Sequence, residues 1–348
     1  MPRPGVVLSV CAALVLIGRP IGAGAAEVKD HLYGVKALSA TEAWAVGNFG
    51  SIYHTTDGAK RWALVEWKPI EGKGALEKLR NPLFSIDFAG RSGWIVGKSS
   101  LIVHTGDAGA TWAEQKSVLS TDKHLFKVVA VDDRTAWAVG DWGAVTVTHD
   151  GGLHWEDRSL SEDAVLNDVA FLDSLHGAIA GEFGTVLVTS DGGVTWEKRS
   201  TGTQKTLFGV HFVTPEKGWV VGLDGLLLHT VDGGGTWMVQ HGVAEASTLE
   251  EFGFLDALRN PGFYAVRVLG EEGIVVGDTG TILTTADGGE TWKRLELPAH
   301  DRLVWMRDVS LVSGTQGFAV GAAGFSVAID RGTVKLPRGG EASVAAAP

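Results

Sequence analysis

A tyrosine held against a carboxylate, an acid/base aspartate and a triad of arginines is the set a sialidase uses, and this chain offers a fragment of it. Its three tyrosines are Tyr33, Tyr53 and Tyr264; Arg267, Glu271 and Glu272 follow the last closely, and Arg307 lies further on. His54, His104 and His229 each stand three residues before an aspartate, a regularity that suits metal ligands only if all three converge within a few Å. Cysteine chemistry is confined to Cys11 near the amino terminus. Far more regular than any of these are the aspartates Asp57, Asp107, Asp150, Asp191, Asp232 and Asp287, each followed five residues on by a tryptophan: Trp62, Trp112, Trp155, Trp196, Trp237 and Trp292.

What must position such residues is a repeat. The strings TTDGAKRW, TGDAGATW, THDGGLHW, TSDGGVTW, TVDGGGTW and TADGGETW recur, and ten residues before each Asp a Gly closes an apolar run, at Gly47, Gly97, Gly140, Gly181, Gly222 and Gly277. A seventh unit, FAVG to Gly321 and then IDRG, lacks the tryptophan, and its Asp330 completes spacings of 50, 43, 41, 41, 55 and 43. Within the third unit LFKVVAV, AWAVG, AVTVTH and HWEDRS read as four short strands, A to D, separated by turn residues. One such sheet has two apolar faces and no core of its own, so the units must stack, and closing them into a ring removes the exposed ends. The expected fold is therefore an all-β, seven-bladed β-propeller, with blades near 32–82, 83–124, 125–165, 166–206, 207–263, 264–304 and 305–337 and a flexible tail over 338–348. The outer strand of blade seven is either GTVKLP at 332–337 or, as a clasp, AEVKDH at 26–31.

The ring changes the chemistry. Six equivalent aspartates cannot share one active site, so they are expected to accept backbone N–H groups in the turn after strand C, while the tryptophans pack between blades. The three histidines, equivalent on different blades, are expected at the surface or in blade packing, so no metal is expected. Tyr33, Tyr264, Arg267 and Arg307 fall on A strands lining the channel and read as isolated channel residues. Every Gly-rich string fits the blade and none leads a helix, so no phosphate cradle and no cofactor are expected.

Residues 1–26 read as a secretory signal peptide: Arg3, an apolar run from Val6 to Ile17, then small residues around Ala23 to Ala26. Gly18, Arg19 and Pro20 cut the run short of the ~20 residues of a membrane span. Val10 before Cys11 fits a lipoprotein signal poorly, so cleavage leaves a protein without a thiol. Of 30 Lys plus Arg, the leader takes Arg3 and Arg19, leaving 28 against 41 Asp plus Glu, a balance of −13. Nucleic acid is not a partner for such a chain, and an exported acidic domain fits a bacterial periplasm.

The string S/T-x-D-G-G-x-T-W resembles the Asp box, or bacterial neuraminidase repeat, and the combination of GWxVG, GxxGxIxxT and DGGxTW around the ring resembles the photosystem II assembly and stability factor family. The resemblance covers roughly residues 30–337 and implies an exported, monomeric propeller without enzymatic activity that binds a membrane protein on the periplasmic or lumenal side. It also implies an arginine patch, for which Arg158, Arg199 and Arg294 stand at similar positions after the strand D tryptophans. A sialidase-like glycoside hydrolase on the same repeat is the competing class.

The B–C and D–A connections share one face of a propeller, and the Asp-box turns mark the other. On the former face the D–A connections are enlarged, from Trp62 to Leu83 and from Trp237 to Tyr264, with LRNP in both. Leu76 and Leu79, then Leu255 and Leu258, stand at helical spacing before a Pro, so short capping helices are expected there. The B–C loops add Phe49, Trp142 and Phe183, each next to a Gly, with Asp141, Glu182 and Asp278 nearby. An aromatic tip there either anchors a partner or plugs against the next blade, and the plug is expected; if partners dock, the candidate binding residues are these tips with Leu76, Leu79, Leu255 and Leu258, and, in the family's basic-patch mode, Arg158, Arg199 and Arg294.

Overall fold

A computed structural model of the chain describes residues 28–72, 74–242, 261–295, 297–298, 301, 303–330, 333–335 and 341–342. The expected signal peptide and the strings containing Leu255 and Leu258 lie outside the described residues. Each strand B is buried along all or all but the first residue of its length, AWAVG at Ala43–Gly47 for example, because it is sandwiched between two neighbouring sheets. Outer strands such as Glu197–Ser200 are mostly exposed and carry charge. The result is seven antiparallel sheets in which neighbours in sequence are neighbours in space, six of four strands and the last of five. It is the expected seven-bladed β-propeller.

Apolar residues divide into seven clusters, each formed where one blade meets the next, including Leu32, Val35 and Trp62 of blade one with Phe318 and Val320 of blade seven. No blade is an end. Blade seven takes its fourth strand from the carboxyl side: Thr333–Lys335 pairs with Ser326–Asp330, and Glu341–Ala342 pairs with it in turn. The amino-terminal clasp is therefore not used, and the expected tail carries a short strand. The junction is held without a shared sheet, through Ala323 N–H donating to His31 Nδ1 at 2.9 Å and Trp62 Nε1 donating to Ser326 Oγ at 3.1 Å.

Innermost strands leave one backbone edge unpaired, and buried N–H groups there need acceptors. Side chains of the adjoining blade supply them. Asp308 accepts Val35 N–H at 3.1 Å, Asp168 accepts Val210 N–H at 2.9 Å and Asp87 accepts Ala130 N–H at 2.8 Å. The channel is thus lined by carboxylates with a structural duty, and Lys127, 3.3 Å from Asp308, and Arg267, 3.9 Å from it, balance their charge.

Candidate functional site

The Asp-box turns form one repeated device in which two side chains share the work. Thr189 Oγ1 accepts the buried N–H of Gly193 at 2.9 Å and donates to Asp191 at 2.8 Å; Asp191 then accepts the N–H and hydroxyl of Thr195 at 2.9 and 2.6 Å. In the first box the residue before the tryptophan is Arg61, whose Nε donates to Asp57 at 2.8 Å. The Asp residues do hold the turn, but the exposed part of it. The threonine at Thr55, Thr105, Thr148, Thr189, Thr230 and Thr285 holds the buried part, and its invariance within the repeat was the available signal. Side-chain and backbone hydrogen bonds from Thr195 hold Asp191 down at about 2, and those from His154 do the same for Asp150.

His54, His104 and His229 stack or tilt against the strand B tryptophans Trp44, Trp94 and Trp219, with ring centroids 4.0 to 4.9 Å apart. Burial lowers the pKa of His104 and of His229. Their register keeps them on separate blades.

On the opposite face, the second residue of each inner strand points to the mouth of the channel: Tyr33, Phe84, Phe126, Asn167, Phe208, Tyr264 and Arg307. Strand A of blade six begins at Phe263, which pairs with Gly277 as Leu166 pairs with Gly181, so Tyr264 joins this layer one position later than its expected match to Leu166. The rings meet at centroid distances of 5.7 Å for Tyr33–Phe84, 5.5 Å for Phe84–Phe126 and 5.2 Å for Phe208–Tyr264. Arg307 lies over Tyr264 at 4.8 Å and over Phe208 at 5.4 Å, and burial lowers its pKa. About 30 Å³ of space is left among these side chains, too little for a sugar. Tyr264 donates to Asp278 at 2.9 Å, and burial with the Asp278 charge pushes its hydroxyl up to about 12, the reverse of activation. Glu271 and Glu272 sit at the A–B end of blade six, away from Tyr264, and Arg267 lies deeper in the channel beside Asp168. The sialidase set is not assembled.

Around this mouth stand the B–C turns. Each has a non-glycine residue in the left-handed region at its tip: Phe49, Ser99, Trp142, Phe183, Asp224, Thr279 and Ala323, with φ from 49° to 61°. The plug expectation is wrong. Phe49, Trp142 and Phe183 are 68%, 58% and 62% exposed. The residue after the tip packs instead: a Cβ on Gly143 would lie 2.5 Å from the Glu162 carbonyl, so the D–A connection fills the place beside the turn and the tip is lifted into solvent.

The first enlarged connection forms a one-turn helix, Ala75–Lys78, but its leucines part company. Leu76 is 78% exposed, whereas Leu79 packs against the cluster of Trp67, a buried anchor missed in the sequence, which donates Nε1–H to the Gly50 carbonyl at 3.0 Å. Lys78, bound to Glu114 at 2.6 Å, ties the segment to blade two. The arginines form no single patch. Arg199 lies on the outer strand of blade four and Arg158 directly after that of adjoining blade three, each paired with a glutamate two residues earlier, and Arg294 is exposed on blade six with blade five between.

The sequence and the ring both have relatives among known proteins. The family described as photosynthesis system II assembly factor YCF48 matches residues 25–159, 153–238 and 200–303. Photosystem II stability/assembly factor HCF136 of Arabidopsis thaliana is 31% identical over 112 residues, 32% of this chain and 27% of that protein. The photosystem II assembly lipoprotein Ycf48 of Synechococcus sp. (strain CC9902) is 31% identical over 144 residues, 41% of each chain. The alignments thus span less than half the length of these curated relatives. A solved structure of YCF48 bound to D1 peptide superposes with a TM-score of 0.68 at 19% identity, over 87% of this chain and 94% of that one, which shows a common fold. With matches that together run from residue 25 to 303, the chain belongs to the photosynthesis system II assembly factor YCF48 family.

Proposed function

We propose that this protein is an exported, non-catalytic scaffold that acts as a monomer and holds a segment of a membrane protein while a membrane complex is assembled, on the periplasmic or lumenal side. Membership of an assembly-factor family supports the reading, and so does a relative of the same fold bound to a peptide. The curated relatives are chloroplastic or a lipoprotein, in keeping with a place outside the cytoplasm.

The observation that carries the proposal is the D–A face: exposed Phe49, Trp142 and Phe183 on left-handed turns, beside a mouth of half-buried rings with only about 30 Å³ left among them. Left-handed backbone costs a bulky residue roughly 1–2 kcal/mol relative to glycine, and exposed aromatic rings add nothing to folding. Such rings are what protein interfaces use as anchors. Leu76, on the same face, extends the apolar rim.

The test is capture of solubilised host membrane proteins by the purified propeller. Replacing Phe49, Trp142 and Phe183 together by Ala is expected to abolish capture of the subunit that wild type retains, with the thermal midpoint unchanged. The exposed Asp-box residues Leu153 and Val194 are the control; Arg61 is unsuitable because it holds Asp57. Capture surviving the triple change but lost with the Arg158 and Arg199 changes would overturn the face assigned here.

A further inference from the structure

Four blades carry a tryptophan at one register position of strand B: Trp44, Trp94, Trp137 and Trp219, opposite Lys36, Asp87, Val129 and His211 of strand A. Three of these indoles lie against the Asp-box glycine of the following blade. A Cβ on Gly109, Gly193 or Gly289 would overlap Trp44, Trp137 or Trp219. Blade four breaks the pattern, since Ala178 stands opposite Ala170 at that position. No strand B ring lies on Gly234 of blade five, where Arg199 and Trp237 pack instead, and next to Arg199 a cavity of about 240 Å³ opens on the Asp-box face, between Phe171, Ala178, Arg199, His211, Phe212 and Gly233. Where Ile274 takes the same position, at the junction of blades six and seven, about 30 Å³ remains.

Beside Arg199, at one edge of this cavity, an acceptor that two other blades supply is missing. Three residues after the Asp-box tryptophan, Gln115 of blade two and Gln240 of blade five each accept the indole N–H of the next blade, from Trp155 at 3.2 Å and Trp292 at 3.1 Å. Blade four has Arg199 there, which can only donate. Its terminal nitrogens bind Glu197 at 3.0 Å, while Arg199 Nε and Trp237 Nε1 are buried without a partner. Both side chains flank Gly234. A buried donor left unpaired is costly, and an incoming acceptor would satisfy it.

We propose that this cavity receives a planar aromatic side chain of a partner polypeptide, which takes the place of the absent blade-four tryptophan and turns a backbone carbonyl or carboxylate toward Arg199. The volume exceeds the ~150 Å³ that suffices for a benzene ring, and four other blades show that an indole is the natural filling of the position. The site is separate from the aromatic face of the preceding proposal and does not depend on it, because it opens on the opposite side of the ring.

The test is two-dimensional NMR titration of the purified propeller with N-acetyltryptophanamide, N-acetyltryptophan and, as a non-aromatic control, N-acetylleucinamide. Both tryptophan probes are expected to shift the amides of Ala178, Gly233 and their neighbours saturably, and the leucine probe is not. Ala178→Ile, copied from blade six, should weaken both by at least about tenfold, or about 1.4 kcal/mol. Arg199→Gln should remove the advantage of the carboxylate probe and leave the amide probe bound. Absence of saturable shifts in wild type, wild-type affinity in Ala178→Ile, or equal shifts with the leucine probe would each overturn the proposal. Indole binding as tightly as N-acetyltryptophanamide would also do so, since a free aromatic compound would then suffice.

Discussion

In each Asp box the carboxylate is the conspicuous residue, but the hydroxyl two positions earlier faces the protein interior. Thr189 is 6% exposed and its acceptor serves a buried N–H, whereas the N–H groups served by Asp191 face water. Thr189→Val keeps the shape and removes the acceptor, so we expect it to cost about 1–3 kcal/mol and to lower the thermal midpoint more than Asp191→Ala does. Equal midpoints would show that the buried bond adds nothing. The tryptophans differ too. Trp112 is 2% exposed and Trp196 is only half-buried, so Trp112→Ala should cost the ~3–5 kcal/mol of a large core truncation and Trp196→Ala less, as read from urea midpoints. The box was visible in the sequence because it is local. Which of its N–H groups is buried depends on the next blade, and spacing does not record that.

Elements divide the same way. Strands A, B and C were legible because sandwiching makes them apolar, with boundaries within a residue or two. The B–C tips were misjudged: an aromatic between turn residues reads as a plug until the D–A connection is seen to occupy the space beside the turn, as Glu162 does at Gly143. The strained tip gives a prediction in which stability and function part. Trp142, with φ at 53° and its ring mostly in solvent, should become more stable as Trp142→Gly by about 0.5–1 kcal/mol, the left-handed cost relieved less the glycine entropy. Calorimetry decides it, and a lower midpoint would mean that the indole packs on its own blade. The missing indole at Ala178 was legible too, since AIAG stands among WAVG, WIVG and WVVG. Its consequence needed the neighbouring blade.

At the scale of the whole molecule, acid sensitivity concentrates on one face. Asp57, Asp107, Asp150, Asp191, Asp232 and Asp287 all have lowered pKa values; at Asp57 and Asp107 burial pushes the other way and hydrogen bonds outweigh it. Asp173, held down at about 2 by the N–H groups of His176 and Leu175, adds an A–B turn on the same side. A carboxylate that is easier to protonate in the unfolded chain contributes stability above the ordinary pKa of 3.8, and that stability is lost as pH falls toward about 2. His211 acts earlier. Burial first, then the Arg267 charge, lowers its pKa to about 4, so its neutral form stabilises the fold above 6.5 and this contribution fades between 6.5 and 4. The urea midpoint should therefore be flat above neutrality, decline gently to pH 4 and then fall steeply. His211→Gln should reduce the slope of the upper part of the curve alone, with His104 and His229, also lowered by burial, leaving the remainder. Asp150→Asn with Asp191→Asn should reduce the lower slope alone, since each removes one proton taken up on unfolding. A lower slope unchanged by the double substitution would show that the Asp boxes are not what ties the ring to neutral pH.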